Sequence, residues 1–452
     1  MKSLRAPRPR AQRGAAALIV VLLLFFVISL VAAYAGRNLI FEQKTSTNQY
    51  RATQAFEAAE AGLEWALAML NGGRVGAACE PSTNAAHPSF RERFLVSDAA
   101  DSNPQGHFVP RTWDNLNPER LRPSCIRSGA GWNCSCPDGA APTPEAPAGG
   151  GTNPAFRVCF ERVPLNHLDP LGPVQPGVVR LISTGSTTFA GVDRPCEQRG
   201  EGTATDAAAT VSVVVALSSA LATPPSVGLT VHGDLDLTGP TRLLPVTLPS
   251  RQELAERWMP SGWLLQAGGT ANVPAALPTN VRGTPISAYF AAPDTALAAL
   301  TPDQVFVSIF NMGKTTYRNQ PAAVVLTDCA IACSAKLLEA AQAARGRVIW
   351  VDGDMTIEAD AVLGSTDEPV LIVASGNVQL NAASIQIYGL LFSQSDLNAG
   401  DGDASFEGAA VATGGFSGSG SSTILYRADI LRRLSLSTGS FVRVPGSWRD
   451  FQ

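Results

Sequence analysis

Residues 15–35 read AAALIVVLLLFFVISLVAAYA, an uninterrupted apolar run that directly follows a basic segment. A helix of about 21 residues spans the ~30 Å hydrocarbon core of a bilayer. The apolar core of an ordinary secretion signal is shorter, about 7–15 residues. The run therefore predicts a retained membrane helix. The alternative is a late signal cleavage site within AAYAG at residues 32–36.

The segment before the run fixes the predicted orientation. Residues 1–14 contain several basic residues and no acidic one, and the next charge after the apolar run is Arg37. Basic flanks stay on the cytoplasmic side of a membrane. We therefore expect a cytoplasmic leader and a single crossing, with everything beyond Arg37 outside the cytoplasm. The basic residues of the leader are Lys2, Arg5, Arg8, Arg10 and Arg13.

The helical pattern continues beyond the membrane run. Residues 38–73 contain no proline, and apolar residues recur three and four apart, which places them on one helix face. Asn71-Gly72-Gly73 is typical of a helix end. The pattern predicts one continuous helix over residues 15–71, with an outer half that requires a domain to cover it. The recurring residues are Phe56, Ala59, Leu63, Leu67 and Leu70.

Two segments of this helix resemble the N-terminal segment of PilX-type minor pilins of type IV pili. They are QRGAAALIVVLLLFF at residues 12–26 and QAFEAAEAGLEWA at residues 54–66. The resemblance implies that a prepilin peptidase cuts between Gly14 and Ala15. It also implies that the helix then assembles with other minor and major pilins. The residues expected on the assembly surface are Leu18, Ile19, Leu22, Phe25, Phe26 and Ile28.

Ile19 departs from the pattern of major pilins, which carry a glutamate at the fifth residue of the mature chain. The resemblance implies that this glutamate pairs with the N-terminal ammonium group of a neighbouring subunit. A carboxylate in hydrocarbon is costly unless it is paired. Ile19 therefore fits a subunit that lacks such a neighbour, as a priming or tip component does.

Residues 72–222 are predicted to form a pilin-like domain with a cysteine-rich loop insertion. Three β-branched runs, AFRVCFERV (155–163), GVVRLISTGSTTF (177–189) and ATVSVVVALSSAL (209–221), predict strands. They resemble the antiparallel meander that pilins pack onto the outer half of the helix.

The eight cysteines of an exported chain predict disulfides, with the connectivity left open. Cys329 and Cys333 are close enough in sequence for a local bridge. Cys134 and Cys136 have the alternative of a metal half-site, although no complementary pair of ligands accompanies them. The candidates are Cys79, Cys125, Cys134, Cys136, Cys159, Cys196, Cys329 and Cys333.

A short unit recurs in residues 223–452 and predicts a parallel β-helix-like solenoid, with a β-sandwich as the alternative. The last four copies recur about every 20 residues, a period typical of such stacks. An insertion at about 245–345 is expected to cap the solenoid. Trp448 and Phe451 are expected to close its hydrophobic end. The copies begin at Gly233, Gly353, Gly376, Ser395 and Gly414.

No set of residues in the sequence predicts catalysis or a cofactor. The acidic pairs Asp234/Asp236 and Asp352/Asp354 fall at repeat corners, and no nucleophile elbow or phosphate loop is present. A weak calcium pattern departs from the EF-hand spacing, so turn residues are the preferred interpretation. The net charge of −4 argues against a nucleic acid partner. The calcium candidates are Asp396, Asn398, Asp401, Asp403 and Glu407.

Together these features predict an α+β chain with a long N-terminal helix on an antiparallel β meander, followed by a β-rich solenoid. The predicted function is that of a non-enzymatic minor pilin. It would start in the bacterial inner membrane and then join a pilus at or near the tip, for priming of assembly, surface contact or twitching motility. The alternatives are the tip pseudopilin of a type II secretion system and a membrane-anchored surface adhesin. What the solenoid would contact stays open.

Overall fold

The computed structural model describes residues 13–96, 108–110, 122–129, 131–137, 153–164, 174–188, 207–244, 265–273, 290–343 and 345–450. These residues form a long helix, an antiparallel sheet around its outer half, and a stack of parallel strands. The helices are α1 (Arg13–Leu70), α2 (Phe90–Phe94), α3 (Thr295–Ala298), α4 (Pro302–Phe310), α5 (Lys314–Arg318), α6 (Ser334–Ala343) and α7 (Ala428–Ser437).

The strands that accompany the helix belong to one six-stranded antiparallel sheet and one short two-stranded pair. We call the outer half of α1 together with these strands the head. The strands of the head are β1 (Leu95–Val96), β2 (Val109–Pro110), β3 (Ser124–Ser128), β4 (Gly131–Ser135), β5 (Ala155–Pro164), β6 (Val174–Ser186), β7 (Ala208–Ser219) and β25 (Gly439–Arg443).

The remaining strands pair in parallel and form what we call the stack. They are β8 (Leu229–Val231), β9 (Leu235–Leu237), β10 (Thr241–Leu244), β11 (Leu265–Ala267), β12 (Ala271–Asn272), β13 (Phe290–Ala291), β14 (Ala323–Leu326), β15 (Val348–Val351), β16 (Met355–Ile357), β17 (Ala361–Leu363), β18 (Val370–Ala374), β19 (Val378–Leu380), β20 (Ser384–Ser393), β21 (Leu397–Asn398), β22 (Asp403–Ala412), β23 (Phe416–Gly418) and β24 (Ser422–Tyr426).

The two halves of α1 have different surroundings. Apolar side chains between Leu18 and Phe41 are exposed around the whole helix. Within the described residues, α1 is the one helix that is long and apolar enough to cross a membrane. From Ala55 onward the helix packs onto the head sheet, and Ala59, Leu63 and Leu70 are almost fully buried. The predicted division into an uncovered inner half and a covered outer half is therefore present.

Small residues allow α1 to approach the head sheet closely. A Cβ at Gly185 in β6 would overlap the carbonyl oxygen of Ala55 and the nitrogen of Ala59. A Cβ at Gly62 in α1 would overlap the hydroxyl of Ser183 and meet the Phe156 ring at 2.8 Å. The contact thus depends on glycine from both elements, because interiors have no room for an added methyl group.

The head sheet has the strand order β25-β7-β6-β5-β3-β4. The meander β5-β6-β7 is antiparallel, as the sequence predicts. The last strand, β25, corrects the predicted boundary at residue 222, because Phe441 pairs with Leu217 of β7 and its ring is buried in the head core. Trp448 likewise contacts Phe56 of α1 and does not close the end of the stack. Phe451 lies outside the described residues.

The stack consists of an eleven-stranded and a six-stranded parallel sheet that share one apolar core. Successive strands pair in register, as Met355 with Val378 and then Val378 with Leu397. Alternate residues point inward, so Met355, Val378 and Leu397 are fully buried. Each strand thereby covers the apolar side chains of the next.

The order of the repeats in space differs from their order in sequence. In the sequence, the first copy precedes the copy at Gly353. Instead Leu235 pairs with Phe416 of the last copy, so β9 lies between β23 and β12. The chain therefore enters the stack at β8 and β9, continues outward through β11 to β13, and resumes at the opposite end with β14.

The insertion does more than cap the stack. Phe306, Phe310 and Tyr317 of α4 and α5 pack on the outer face of the eleven-stranded sheet, against Trp350 and Phe392. Leu337 of α6 belongs to the core cluster of the stack itself. The insertion thus forms a layer along the face of the stack, and the predicted cap is one part of that layer. Residues 245–264 and 274–289 of the insertion lie outside the described residues.

Candidate assembly site

The candidate site is the exposed apolar surface of α1. The six side chains predicted for assembly are each more than half exposed. Such a surface is unstable in water, because apolar area exposed to water costs roughly 25 cal/mol per Å². It requires lipid or other apolar helices as its surroundings. The six are Leu18, Ile19, Leu22, Phe25, Phe26 and Ile28.

The predicted processing residues lie at the start of this helix. Residues 13–16, which include Gly14 and Ala15, already belong to α1. Their side-chain environment lies outside the described residues, and the cleavage itself stays a prediction. Residues 1–12, which hold the rest of the basic leader, also lie outside.

A second surface of α1 lies where the C-terminal segment crosses it. Glu57, Glu60 and Glu64 are exposed there, and Glu64 forms an ion pair with Arg443 of β25. The Trp448 ring meets Phe56 edge to face, with ring centroids 6.5 Å apart. The C-terminal segment therefore packs on the N-terminal helix α1.

The cysteines are engaged in disulfides. Cys125 bonds Cys134 across β3 and β4, and Cys79 bonds Cys136. The Cys134-x-Cys136 metal half-site is therefore not available in this structure. Cys159 is also disulfide-bonded, and Cys196 lies outside the described residues. The local bridge between the remaining two is present, and it joins Cys329 to Cys333.

The calcium candidates form hydrogen bonds within the stack. The Asp396 carboxylate accepts the N–H of Gly415 at 2.7 Å, and the Asn398 amide oxygen accepts the N–H of Gly400 at 2.8 Å. Glu407 faces Arg427 at 3.4 Å. Within the described ranges, no group of three or more acidic, histidine or cysteine side chains is placed to hold a metal ion. Asp401 and Asp403 belong to the same described segment.

The acidic residues at the repeat corners connect one repeat to the next. Asp354 accepts the N–H of Asn377 at 2.7 Å, and Asp234 accepts the N–H of Thr270 at 2.8 Å. The bond from Thr270 holds the pKa of Asp234 below its usual value. These contacts give the corner carboxylates a structural use, because each satisfies a backbone donor of the neighbouring strand.

Asp352, which belongs to the acidic pair Asp352/Asp354, also has hydrogen-bond partners. Arg318 donates to both oxygens of Asp352, at 2.8 and 2.5 Å, and the indole N–H of Trp350 donates to one of them at 2.7 Å. The bond from Arg318 is the main reason that the pKa of Asp352 lies below its usual value. The ion pair between Arg318 and Asp352 attaches α5 to the stack.

Sequence reasoning missed the residues that fasten the end of α1. The sequence places Asn71 at a helix end, and its patterns do not single out Arg91. In the structure, Arg91 is fully buried and Asn71 contacts the last strand. No periodic pattern marks either residue. The signal available was Ser89-x-x-Glu92, the capping box that starts α2 and positions Arg91 in it.

Residues 13–64 match the family model described as PilX N-terminal. The N-terminal segment is therefore similar to that family. The matched segment comprises the exposed apolar half of α1 and most of the part that packs on the head sheet. It is the segment that the sequence predicts to assemble with other pilins, and that role stays a prediction.

One solved structure aligns with most of the chain. It is the competence-associated pilin ComZ from Thermus thermophilus, 10% identical, covering 88% of this chain and 97% of that chain, with a TM-score of 0.25. A TM-score this low supports no conclusion about shared function. No curated protein matches the chain.

Proposed function

We propose that this chain is a minor pilin of a type IV pilus. The observation that carries the proposal is one continuous helix, α1, whose residues 13–64 match the PilX N-terminal model. Its inner half is apolar and uncovered, and its outer half is buried against a sheet. A helix built this way fits first a lipid bilayer and later a bundle of similar helices.

The proposed pathway has three stages. The chain enters the inner membrane with its leader in the cytoplasm and its head and stack in the periplasm. A prepilin peptidase then cuts between Gly14 and Ala15. The mature helix leaves the membrane with other pilins and becomes part of the filament at the cell surface.

We place the subunit at or near the filament tip. Ile19 supports this position, because it offers no carboxylate for the N-terminus of a neighbour. The stack supports it too, since it adds a large body beyond the end of α1. We propose that the stack is a β-solenoid that makes surface contact or primes assembly, without enzymatic activity. A tip pseudopilin of type II secretion and a membrane-anchored adhesin are the competing functions.

Deletion of the gene, followed by complementation, tests the proposal. We expect the deletion to reduce piliation and twitching while leaving enzyme export intact, and we expect the chain in sheared filaments. Gly14→Glu, which is expected to block cleavage, should fail to complement, whereas Gly131→Ala in the head, where an added Cβ contacts nothing within 4 Å, should succeed. Loss of enzyme export with normal piliation would instead favour the pseudopilin.

A further inference from the structure

The end of α1 meets both the head and the stack at one buried place. We call this place the junction, and define it as Leu70–Arg74 and Phe90–Arg93 together with residues 342, 343, 345–347, 368 and 437–441. It connects segments that are separated by more than 250 residues in sequence. The head and the stack have separate apolar cores, and a third apolar cluster includes Ala220 and Leu221, which directly follow β7, together with residues of the stack. Polar contacts at the junction add to this apolar contact.

Arg91 lies at the centre of the junction. Its Nε donates to the carbonyl of Leu70 at 2.9 Å, and Nη2 donates to Gly439 at 3.0 Å. Nη1 donates to the carbonyls of Gly346 at 2.9 Å and Ser437 at 3.1 Å. One guanidinium group therefore bonds the end of α1, the start of the last head strand, and two segments that enter and leave the stack.

The four acceptors are suited to a cation. Leu70 and Ser437 are the last residues of α1 and α7, where carbonyl groups lack partners within the helix and carry partial negative charge. The rings of Phe441 and Phe108 lie 5.3 and 5.8 Å from the guanidinium carbon and exclude water from it. Full burial lowers the pKa of Arg91 to about 10, so it stays charged at neutral pH.

Further polar contacts lie at the edge of the junction. Arg74 donates to the carbonyl of Gln342 at 2.6 Å and to Glu368 of the stack at 2.7 Å. The N–H of Arg74 donates to the carbonyl of Ala343 at 3.3 Å. Arg345 bridges Glu92 of the head and Glu368. The residues that directly follow α1 are thus held by both bodies.

We propose that Arg91 makes α1, the head and the stack one rigid unit, so that the direction of the stack is set at the end of the assembly helix. Removal of the guanidinium group takes this donor from four carbonyls, of which that of Gly346 keeps the N–H of Gly439, and water or movement must then satisfy the others. Lysine keeps the charge but cannot present a planar fork to four acceptors. The coupling does not depend on the proposed pilin function. If that function holds, a contact made by the stack is passed to the filament through Arg91.

Distance measurement by pulsed EPR tests the coupling on the full chain in detergent. Spin labels are placed at two exposed positions by Ala52→Cys on α1 and Gln379→Cys on the stack. We expect a single narrow distance distribution for the parent chain, a broad one for Arg91→Met, and an intermediate width for Arg91→Lys. Arg433→Met is the matched control, because this arginine is half exposed on α7 and its side chain bonds Asp367 at the surface. Its distribution should stay narrow.

A narrow distribution in folded Arg91→Met would overturn the proposal.

Hydrogen exchange of the parent chain gives a test that needs no variant. The amides of Arg74, Gly439 and Phe441, which bond across the junction, should exchange as slowly as the buried amide of Ile372 in the stack. Exchange of the three in the fast class would contradict rigid coupling.

Discussion

The Asn71 side chain exchanges two hydrogen bonds with the backbone of Phe441, 370 residues later in the chain. Its amide oxygen accepts the N–H of Phe441 at 2.8 Å, and its amide nitrogen donates to the carbonyl at 3.0 Å. One side chain thus takes the place of a neighbouring strand at the free edge of β25. It attaches the end of α1 to the last strand of the head and closes that part of the edge to other chains.

Asn71→Ala should destabilise the head. The change leaves the N–H and carbonyl of Phe441 buried without partners, at a cost of about 1–3 kcal/mol. Urea unfolding of the full chain in detergent measures the difference. Asn48→Ala, on the exposed part of α1, is the control and should stay within about 0.5 kcal/mol. Equal stability of the two variants would show that the contact contributes nothing.

Gly185→Ala should separate α1 from the head sheet. The added methyl group would overlap the backbone of Ala55 and Ala59, which cannot move independently of the helix. We expect a loss of about 1–3 kcal/mol or a failure to fold, measured by thermal unfolding. Gly36→Ala in the uncovered half of α1 is the control, since no atom lies within 4 Å of its added Cβ. An unchanged melting temperature for Gly185→Ala would mean that the helix lies further from the sheet.

Phe441→Ala tests whether the C-terminal strand belongs to the head. The ring is 1% exposed in the head core, so truncation should cost about 3–5 kcal/mol. The next residue, Val442, points to the other face and is 41% exposed. Val442→Ala should cost less than about 1 kcal/mol. Similar losses for both variants would contradict the assignment of β25 to the head.

Stability should also depend on the ionisation of Asp352. Its pKa in the folded chain is lowered, mainly by the bond from Arg318. A lowered carboxyl pKa contributes stability above the unfolded value, and this contribution is lost as pH falls through the folded value. Asp352→Asn should therefore destabilise the chain near neutral pH, with the difference shrinking below about pH 4.

Urea unfolding at several pH values measures this difference. Asp367→Asn, at an exposed ion pair with Arg433, is the control and should stay within about 1 kcal/mol of the parent. A constant difference between Asp352→Asn and the parent from neutral to acidic pH would exclude ionisation as the cause.

The elements that carry a local pattern were predictable from the sequence. The apolar run at 15–35 and the stripe from Phe56 to Leu70 specify α1, because helix periodicity repeats every few residues. The alternating runs specify β5, β6 and β7. The recurring corner residues indicate parallel strands in the stack, since Asp354 and Asp396 each bond the next repeat.

Long-range pairing was not predictable from the same patterns. The edges of parallel strands are chemically alike, so nothing in the Gly233 repeat shows that Leu235 pairs with Phe416 and not with Met355. Nor does the run at residues 439–443 show that β7 is its partner. Arg91 and Asn71 act through backbone groups far away in sequence, and backbone groups are the same in every residue.

The N-terminus of the mature chain tests the central claim most directly. Mass spectrometry of the N-terminal peptide, from the chain in sheared filaments and in inner membranes, identifies its first residue. A minor pilin predicts a chain that begins at Ala15 and is present in the filament fraction. A chain that keeps Met1, or begins at Gly36 after cleavage behind Ala35, would contradict the assignment.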